Sequence, residues 1–291
     1  MAMRRLHLLI IDPQNDFCDL PDTYRPENPL TAGTRMAPAL PVPGAHGDML
    51  RLADLIQRGS SGLAEITVTL DTHQRLDIAH PGFWVNGDGS AVTPFTQITA
   101  SEVRTGAYVP RLPGSGERVL AYLERLEAAG RYTHMVWPVH CEVGTWGNNL
   151  HPDLQAACNA WEERALRNVT MVTKGMNPWT EHFSAIQAEV PDPQDASTQL
   201  NRSLLDALFE ADQVFIAGEA GSHCVKSTTE HIADNFAPEH LSRLVLIEDC
   251  MSPVSGFEAQ QTEFLAAMRV RGLRVARCAD VLQELLSNKS L

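Results

Sequence analysis

Gln213-Val-Phe-Ile-Ala-Gly-Glu-Ala-Gly-Ser-His-Cys-Val-Lys-Ser-Thr-Thr-Glu230 opens like a strand and closes like a helix. The apolar run Val214 to Ala217 suits a buried strand. Gly218, Ala220, Gly221 and Ser222 then permit a tight backbone path. Beyond Cys224, the apolar residues Val225, Ile232 and Phe236 recur near helical spacing. A cysteine at such a turn meets free N–H groups and the positive end of a helix dipole, both of which stabilise a thiolate. Taken alone, Cys224 reads more readily as a buried structural thiol, because free cysteine is often fully buried. Partners elsewhere in the chain have to decide.

Working outward, the same grammar repeats. Leu6-His-Leu-Leu-Ile-Ile11 is an apolar run stopped by Asp12-Pro13, the pattern of a strand buried on both faces. Glu65 to Leu70 is a second strand, with Asp71-Thr72-His73 at its C-terminal end. Met135-Val-Trp137 leads into Pro138-Val139-His140-Cys141, and Val169 to Thr173 ends at Lys174-Gly175. Leu244 to Ile247 and Leu273 to Ala276 are the last strands. A helix with Met49, Leu52, Leu55 and Ile56 on one face is expected between the first two strands. Others are expected over 117–129, 154–166, 203–210 and 257–270. Residues 19–47, rich in Pro and Gly, read as a long loop. Residues 74–116 read as an insertion with a hairpin near Val103 to Val109.

Short β-rich runs alternating with helices predict an α/β fold, doubly wound on a mainly parallel sheet. One domain spanning 1–291, with an expanded loop region at about 85–116, is the expected organisation. Function in such sheets collects at the C-terminal ends of the strands. Asp12, Asp71, Lys174 and Glu219 to Cys224 all fall at such ends.

Composition narrows the function classes. The 291 residues are 44% hydrophobic and 20% charged, as in an ordinary globular protein. A formal net charge of −13 argues against nucleic acid or an anionic membrane as partner, since either needs a basic stripe. Six cysteines at 18, 141, 158, 224, 250 and 278 lack paired spacing, so a reduced, cytoplasmic protein is expected. The run Leu6 to Ile11 lacks a small-residue cleavage site and reads as a strand, not a signal peptide. No segment approaches the ~20 apolar residues of a membrane span. Homo-oligomerisation stays open.

Two constellations carry chemistry. In the first, Asp12, Lys174 and Cys224 can form a nucleophilic site: a thiol is weak until a base takes its proton or a cation lowers its pKa. Singly, Asp12 could merely end a strand and Lys174 could be a solvated strand terminus. Their shared rim is what raises the catalytic reading. In the second, Asp71, His73, His80 and His140 offer one carboxylate and three imidazoles, a set that suits zinc, iron or manganese. By spacing alone this is a weak motif, since loop histidines are more often exposed or hydrogen-bonded than metal-bound. His223, next to Cys224, reads as a structural or polarising neighbour.

Ile10-Ile-Asp-Pro-Gln-Asn-Asp-Phe-Cys18, Trp137-Pro-Val-His-Cys141, Val172-Thr-Lys-Gly175 and Gly218-Glu-Ala-Gly-Ser-His-Cys-Val225 together resemble, in that order, the motifs of the isochorismatase-like cysteine hydrolases, with the nicotinamidase-related branch most similar. The resemblance covers most of the chain outside about 85–116. It implies a six-stranded parallel sheet with helices on both faces. It also implies Asp12 as general base, Lys174 as catalytic lysine and Cys224 as nucleophile. A cis peptide at Glu219-Ala220 and an oxyanion hole from the Ala220 and Cys224 N–H groups follow from it too. Asp71, His73, His80 and His140 match the metal ligands, and Phe17 and Trp137 match residues flanking a pyridine ring. The chain departs from the branch at Ala220-Gly221-Ser222, where Ala-Thr-Asp is usual, and in the residues after Lys174.

The expected activity is cysteine-dependent hydrolysis of a small, nicotinamide-like carboxamide through a thioester, with a divalent metal as cofactor, zinc foremost. Two rivals stand beside it. One is a metal-dependent hydrolase of another small C–N substrate in which Cys224 is structural. The other is a non-catalytic binding protein on the same fold.

Overall fold

The structure is a computed structural model that describes residues 3–288. Its strands are β1 (Leu6–Ile11), β2 (Glu65–Asp71), β3 (Trp84–Asn86), β4 (Thr96–Ile98), β5 (Tyr108–Pro110), β6 (His134–Val136), β7 (Thr170–Lys174), β8 (Gln213–Gly218), β9 (Leu244–Ile247) and β10 (Arg274–Ala276). Its helices are α1 (Ala45–Gly59), α2 (Ala100–Thr105), α3 (Gly116–Ala129), α4 (Pro152–Ala165), α5 (Arg202–Phe209), α6 (Cys224–Asn235), α7 (Glu258–Arg271) and α8 (Cys278–Ser287).

Six strands form one parallel sheet in the order β10-β9-β8-β1-β2-β7. This is the six-stranded parallel sheet expected from the motifs. The most apolar runs lie at the centre: every residue of β1 and of β8 is buried. Only strands covered on both faces can dispense with polar alternation. The edge strand β7 reads Thr-Met-Val-Thr-Lys and leaves most of its residues partly or fully exposed. Helices α1, α4 and α8 pack together, and α6 contacts α7.

One expectation gives way. The hairpin near Val103 to Val109 is absent: Ala100–Thr105 is helix α2, and Tyr108–Pro110 pairs antiparallel with β3 instead. Thr99 begins that helix with a capping box, its Oγ1 accepting the Glu102 N–H while Glu102 accepts from the Thr99 N–H. The apolar run at Met135 forms β6, which pairs antiparallel with β4 outside the main sheet. These small sheets and helix α3 close over a second apolar cluster that includes Phe83, Trp84, Ile98, Tyr122 and Leu123.

Candidate active site

Four adjacent strands deliver the side chains in question. Asp12 follows β1, Asp71 ends β2, Lys174 ends β7, and the turn after β8 carries Cys224 into the first position of α6. The parallel register aligns these ends, with Ile11 opposite Gly218 and Asp71 opposite Lys174. Gly218 has φ +114°, and a Cβ there would meet the Ile11 carbonyl oxygen at 2.1 Å. No other residue fits this close crossing of β8 and β1.

Lys174 is the hub. Its Nζ lies 2.8 Å from Asp12 Oδ2, 2.9 Å from Asp71 Oδ1 and 3.6 Å from Cys224 Sγ. All four residues are buried. Thr69 Oγ1 donates to the other Asp12 oxygen, which fixes the carboxylate. Gln14 ties the ends of β1 and β2: its Oε1 accepts the Asp71 N–H and its Nε2 donates to the Asp71 carbonyl, both at 2.7 Å.

The electrostatics follow from burial and from the order of charges. Burial works against an ammonium at Lys174, but Asp12, Asp71 and Cys224 outweigh it and lift its pKa well above the usual lysine range. Burial raises Asp12, and Lys174 only partly offsets this. Burial also pushes the Cys224 thiol well up, with Asp12 and Asp71 adding to the rise and Lys174 opposing it. The resting nucleophile is therefore a thiol held by a fixed cation that also binds the Asp12 carboxylate. Such a site needs its base at the moment of attack.

The peptide bond Glu219-Ala220 is cis. Among the described residues, no acceptor takes the N–H of Ala220 or of Cys224, whereas the N–H groups of His223 and Val225 both go to the Ala220 carbonyl. Both donors are thus free of a backbone acceptor, both residues line one pocket, and Cys224 opens a helix.

Asp71 also reaches the histidines. Its Oδ2 is 3.0 Å from His73 Nε2 and 3.4 Å from His140 Nε2. His73, His80 and His140 each present one ring nitrogen within 4.8 Å of the others, and all three are buried. Each ring is held from behind: His73 Nδ1 by Asp77 at 3.1 Å, His80 Nδ1 by the Gln74 carbonyl at 3.2 Å, His140 Nδ1 by the Pro138 carbonyl at 2.8 Å. Oriented imidazoles beside a carboxylate are the donor set of a transition-metal site. Burial lowers His80 to about 2, helped by His140 and His73, so this ring keeps a lone pair available. The residues fit a divalent cation.

Phe17, Leu40, Trp137, Phe183, His223 and Val254 wall a narrow pocket, with Asp71, His140, Glu181, Ala220 and Cys224 also on its surface. Its cavity volume is about 30 Å³. Phe17 stacks obliquely on His140 at 5.4 Å, and Trp137 meets His223 edge-on at 5.3 Å. His223 shares the pocket with Cys224. Ser222 Oγ accepts the Val254 N–H and so offers its own proton to His223 Nδ1, 2.8 Å away. Burial, with Lys226, lowers His223 to about 4, which leaves the ring neutral.

All the residues singled out from sequence converge here; several others were not anticipated. Glu181 is buried, its Oε2 has no partner, and burial lifts its pKa to about 7. Asp77 and Thr69 orient His73 and Asp12, and Asp16 Oδ2 accepts the Cys141 N–H at 2.7 Å, bracing the His140 loop. Only Asp16 and Gln14 left a trace in sequence, inside the Asp12-Pro-Gln-Asn-Asp16 motif.

No family model matches the chain. Its sequence is 25% identical to the nicotinamidase of Saccharomyces cerevisiae over 227 residues, 78% of this chain and 81% of the yeast protein. The structure of that yeast enzyme superposes with a TM-score of 0.61 at 20% identity, covering 93% of this chain and 99% of the other. A nicotinamidase/pyrazinamidase from Acinetobacter baumanii gives 0.58 at 17% identity, covering 96% and 98%. The pyrazinamidase of Pyrococcus horikoshii, solved in complex with zinc, gives 0.52 at 16% identity, covering 94% and 99%.

Proposed function

From the isochorismatase-like fold that this chain shares with nicotinamidases, we propose that it hydrolyses a small, nicotinamide-like carboxamide to the carboxylate and ammonia, with Cys224 as nucleophile. One observation carries this reading: a buried thiol and a buried carboxylate meet at one ammonium, with Lys174 Nζ 2.8 Å from Asp12 and 3.6 Å from Cys224. Asp12 takes the thiol proton as the sulfur attacks the amide carbon. Lys174 stays protonated and limits the charge that builds between the two groups. The Ala220 and Cys224 N–H groups receive the oxyanion, an interaction worth about 3–4 kcal/mol per donor.

Collapse of the tetrahedral intermediate breaks the C–N bond. Asp12 gives its proton to the departing nitrogen, leaving a Cys224 thioester and ammonia. Asp12, ionised again, then takes a proton from water as water attacks the thioester, and the proton returns to the sulfur as the acid departs. Phe17, Trp137 and Phe183 would flank a flat ring, and the tight pocket limits the substrate to a small one. Asp71, His73, His80 and His140 would hold a divalent cation, zinc by preference; bound there, it would anchor a ring nitrogen and orient the amide.

The test is ammonia release from nicotinamide and a panel of aromatic and aliphatic amides, by the parent chain and by Cys224→Ala. Release by the parent and its loss in a folded Cys224→Ala protein is expected. Stoichiometric alkylation of Cys224 without loss of turnover would sink the nucleophile assignment.

A further inference from the structure

Glu181 lines the narrow pocket with Cys224, Ala220 and His140, yet the hydrolytic steps above give it no role. The residue is only 5% exposed. Its backbone is tied on both sides: the N–H donates to the Tyr122 hydroxyl at 3.4 Å, and the carbonyl accepts the Glu189 N–H at 2.9 Å. One side-chain oxygen is spoken for as well, because Oε1 accepts the His182 N–H at 3.1 Å. Among the described residues, the other oxygen, Oε2, has no hydrogen-bond partner.

An acceptor left unpaired in a closed site is costly, and more so when it is charged. A ligand that brings the missing donor is favoured over one that does not, and the discrimination is strong because the empty-handed ligand strands a buried polar group. The other polar groups of the pocket already have tasks in the proposed reaction. The Ala220 and Cys224 N–H groups take the amide oxygen, and the histidine cluster beside Asp71 takes a ring nitrogen. Glu181 is left for a further group on the substrate. A carboxylate only accepts hydrogen bonds, so that group is a donor.

Resting on the amidohydrolase reading, we propose that Glu181 is a specificity residue that selects aromatic carboxamides whose ring carries a small hydrogen-bond donor, such as an amino group, given to Oε2. The walls suit this substrate: Phe17, Trp137 and Phe183 are apolar and aromatic, and the small cavity leaves room for a compact substituent only. Plain nicotinamide would set a ring C–H against Oε2 and leave the oxygen unpaired. Burial brings the Glu181 pKa to about 7, so the carboxylate form is the one present on the alkaline side of neutrality, where the preference is to be measured.

Ring-amino nicotinamides, one for each open ring carbon, are compared with their ring-methyl counterparts, which match them in size and donate nothing. Two readouts are taken on zinc-supplemented protein: kcat/KM for ammonia release by the parent chain, and calorimetric affinity for Cys224→Ala, which binds without turnover. At one ring position the amino compound should exceed its methyl counterpart by about 10–100-fold in both, the range for a hydrogen bond to a charged group. Glu181→Gln turns the free atom from an acceptor into a donor, because its carbonyl oxygen is held by the His182 N–H. The preference should vanish there. No amino preference at any position, or one that survives Glu181→Gln, overturns the assignment, and so does the failure of every compound to bind Cys224→Ala. A preference seen in binding to Cys224→Ala, with no ammonia released by the parent chain, would uphold the role of Glu181 and sink the hydrolytic reading instead.

Discussion

The carboxylate of Asp71 touches the ammonium of Lys174 with one oxygen, at 2.9 Å, and turns the other toward His73. One residue thus joins the thiol cluster to the histidine cluster, and Lys174 balances two buried carboxylates at once. Removing the lysine by Lys174→Met leaves Asp12 without a counter-charge and leaves Asp71 to His73 alone. Breaking a buried pair in this way costs about 3–5 kcal/mol, so the urea midpoint at pH 7 should fall steeply. Adding Asp12→Asn should recover part of the loss, because the two sites share one interaction. Strict additivity in that double-mutant cycle would show that the lysine does not balance Asp12.

Asp12 accepts from Thr69 Oγ1 and lies against Lys174, so its position is set on two sides. Asp12→Asn keeps the shape and removes the base. Turnover should fall about 10²–10⁴-fold, the range for losing a positioned general base, with circular dichroism unchanged. A loss of less than tenfold in ammonia release would assign the proton transfer to another group.

Asp77 touches no pocket atom, yet it holds His73 Nδ1 at 3.1 Å and accepts the Ala79 N–H at 2.9 Å. Partners of this kind fix the tautomer and tilt of a metal-binding imidazole. Asp77→Asn should weaken zinc binding about 10–100-fold, measured by competition with a chromogenic chelator. His80→Ala, which removes a donor outright, should weaken it further. Unchanged affinity in both variants would mean that the histidine cluster holds no metal.

Much of this arrangement was legible because strand ends are local events. Ile11-Asp12-Pro13 and Thr173-Lys174-Gly175 each announce a stop, and buried parallel strands read as unbroken apolar runs. Sheet order is another matter: nothing local says that β7 lies beside β2, the pairing that brings Lys174 to Asp71. Met135 and Val136 look like core-strand residues, but pair with β4 outside the main sheet; apolarity reports burial, not partner. The helix at Ala100–Thr105 did carry a local signal in Thr99-Ala-Ser-Glu102, a capping box that β-branched neighbours obscured. Glu181 carried none. A buried, half-satisfied carboxylate in a loop is a product of tertiary packing alone.

His134 gives the chain a pH dependence away from the active site. Its Nε2 donates to the Ile78 carbonyl at 3.0 Å, which leaves Nδ1 to accept from the Tyr122 hydroxyl at 3.3 Å; the ring is neutral and buried. Burial lowers its pKa to about 4, with only the Ile78 carbonyl opposing. The unfolded chain, with a histidine pKa near ~6.5, therefore binds more protons than the folded one between those values. Stability attributable to this ring is complete above pH ~6.5 and falls as pH drops toward 4, by about 3 kcal/mol at the limit. Urea unfolding at pH 7 and pH 5 should show the loss, and His134→Gln, which keeps a donor and an acceptor but cannot titrate, should flatten part of it. An equally steep pH dependence in that variant would assign the acid sensitivity to other buried histidines, such as His7, whose pKa burial also lowers to about 4.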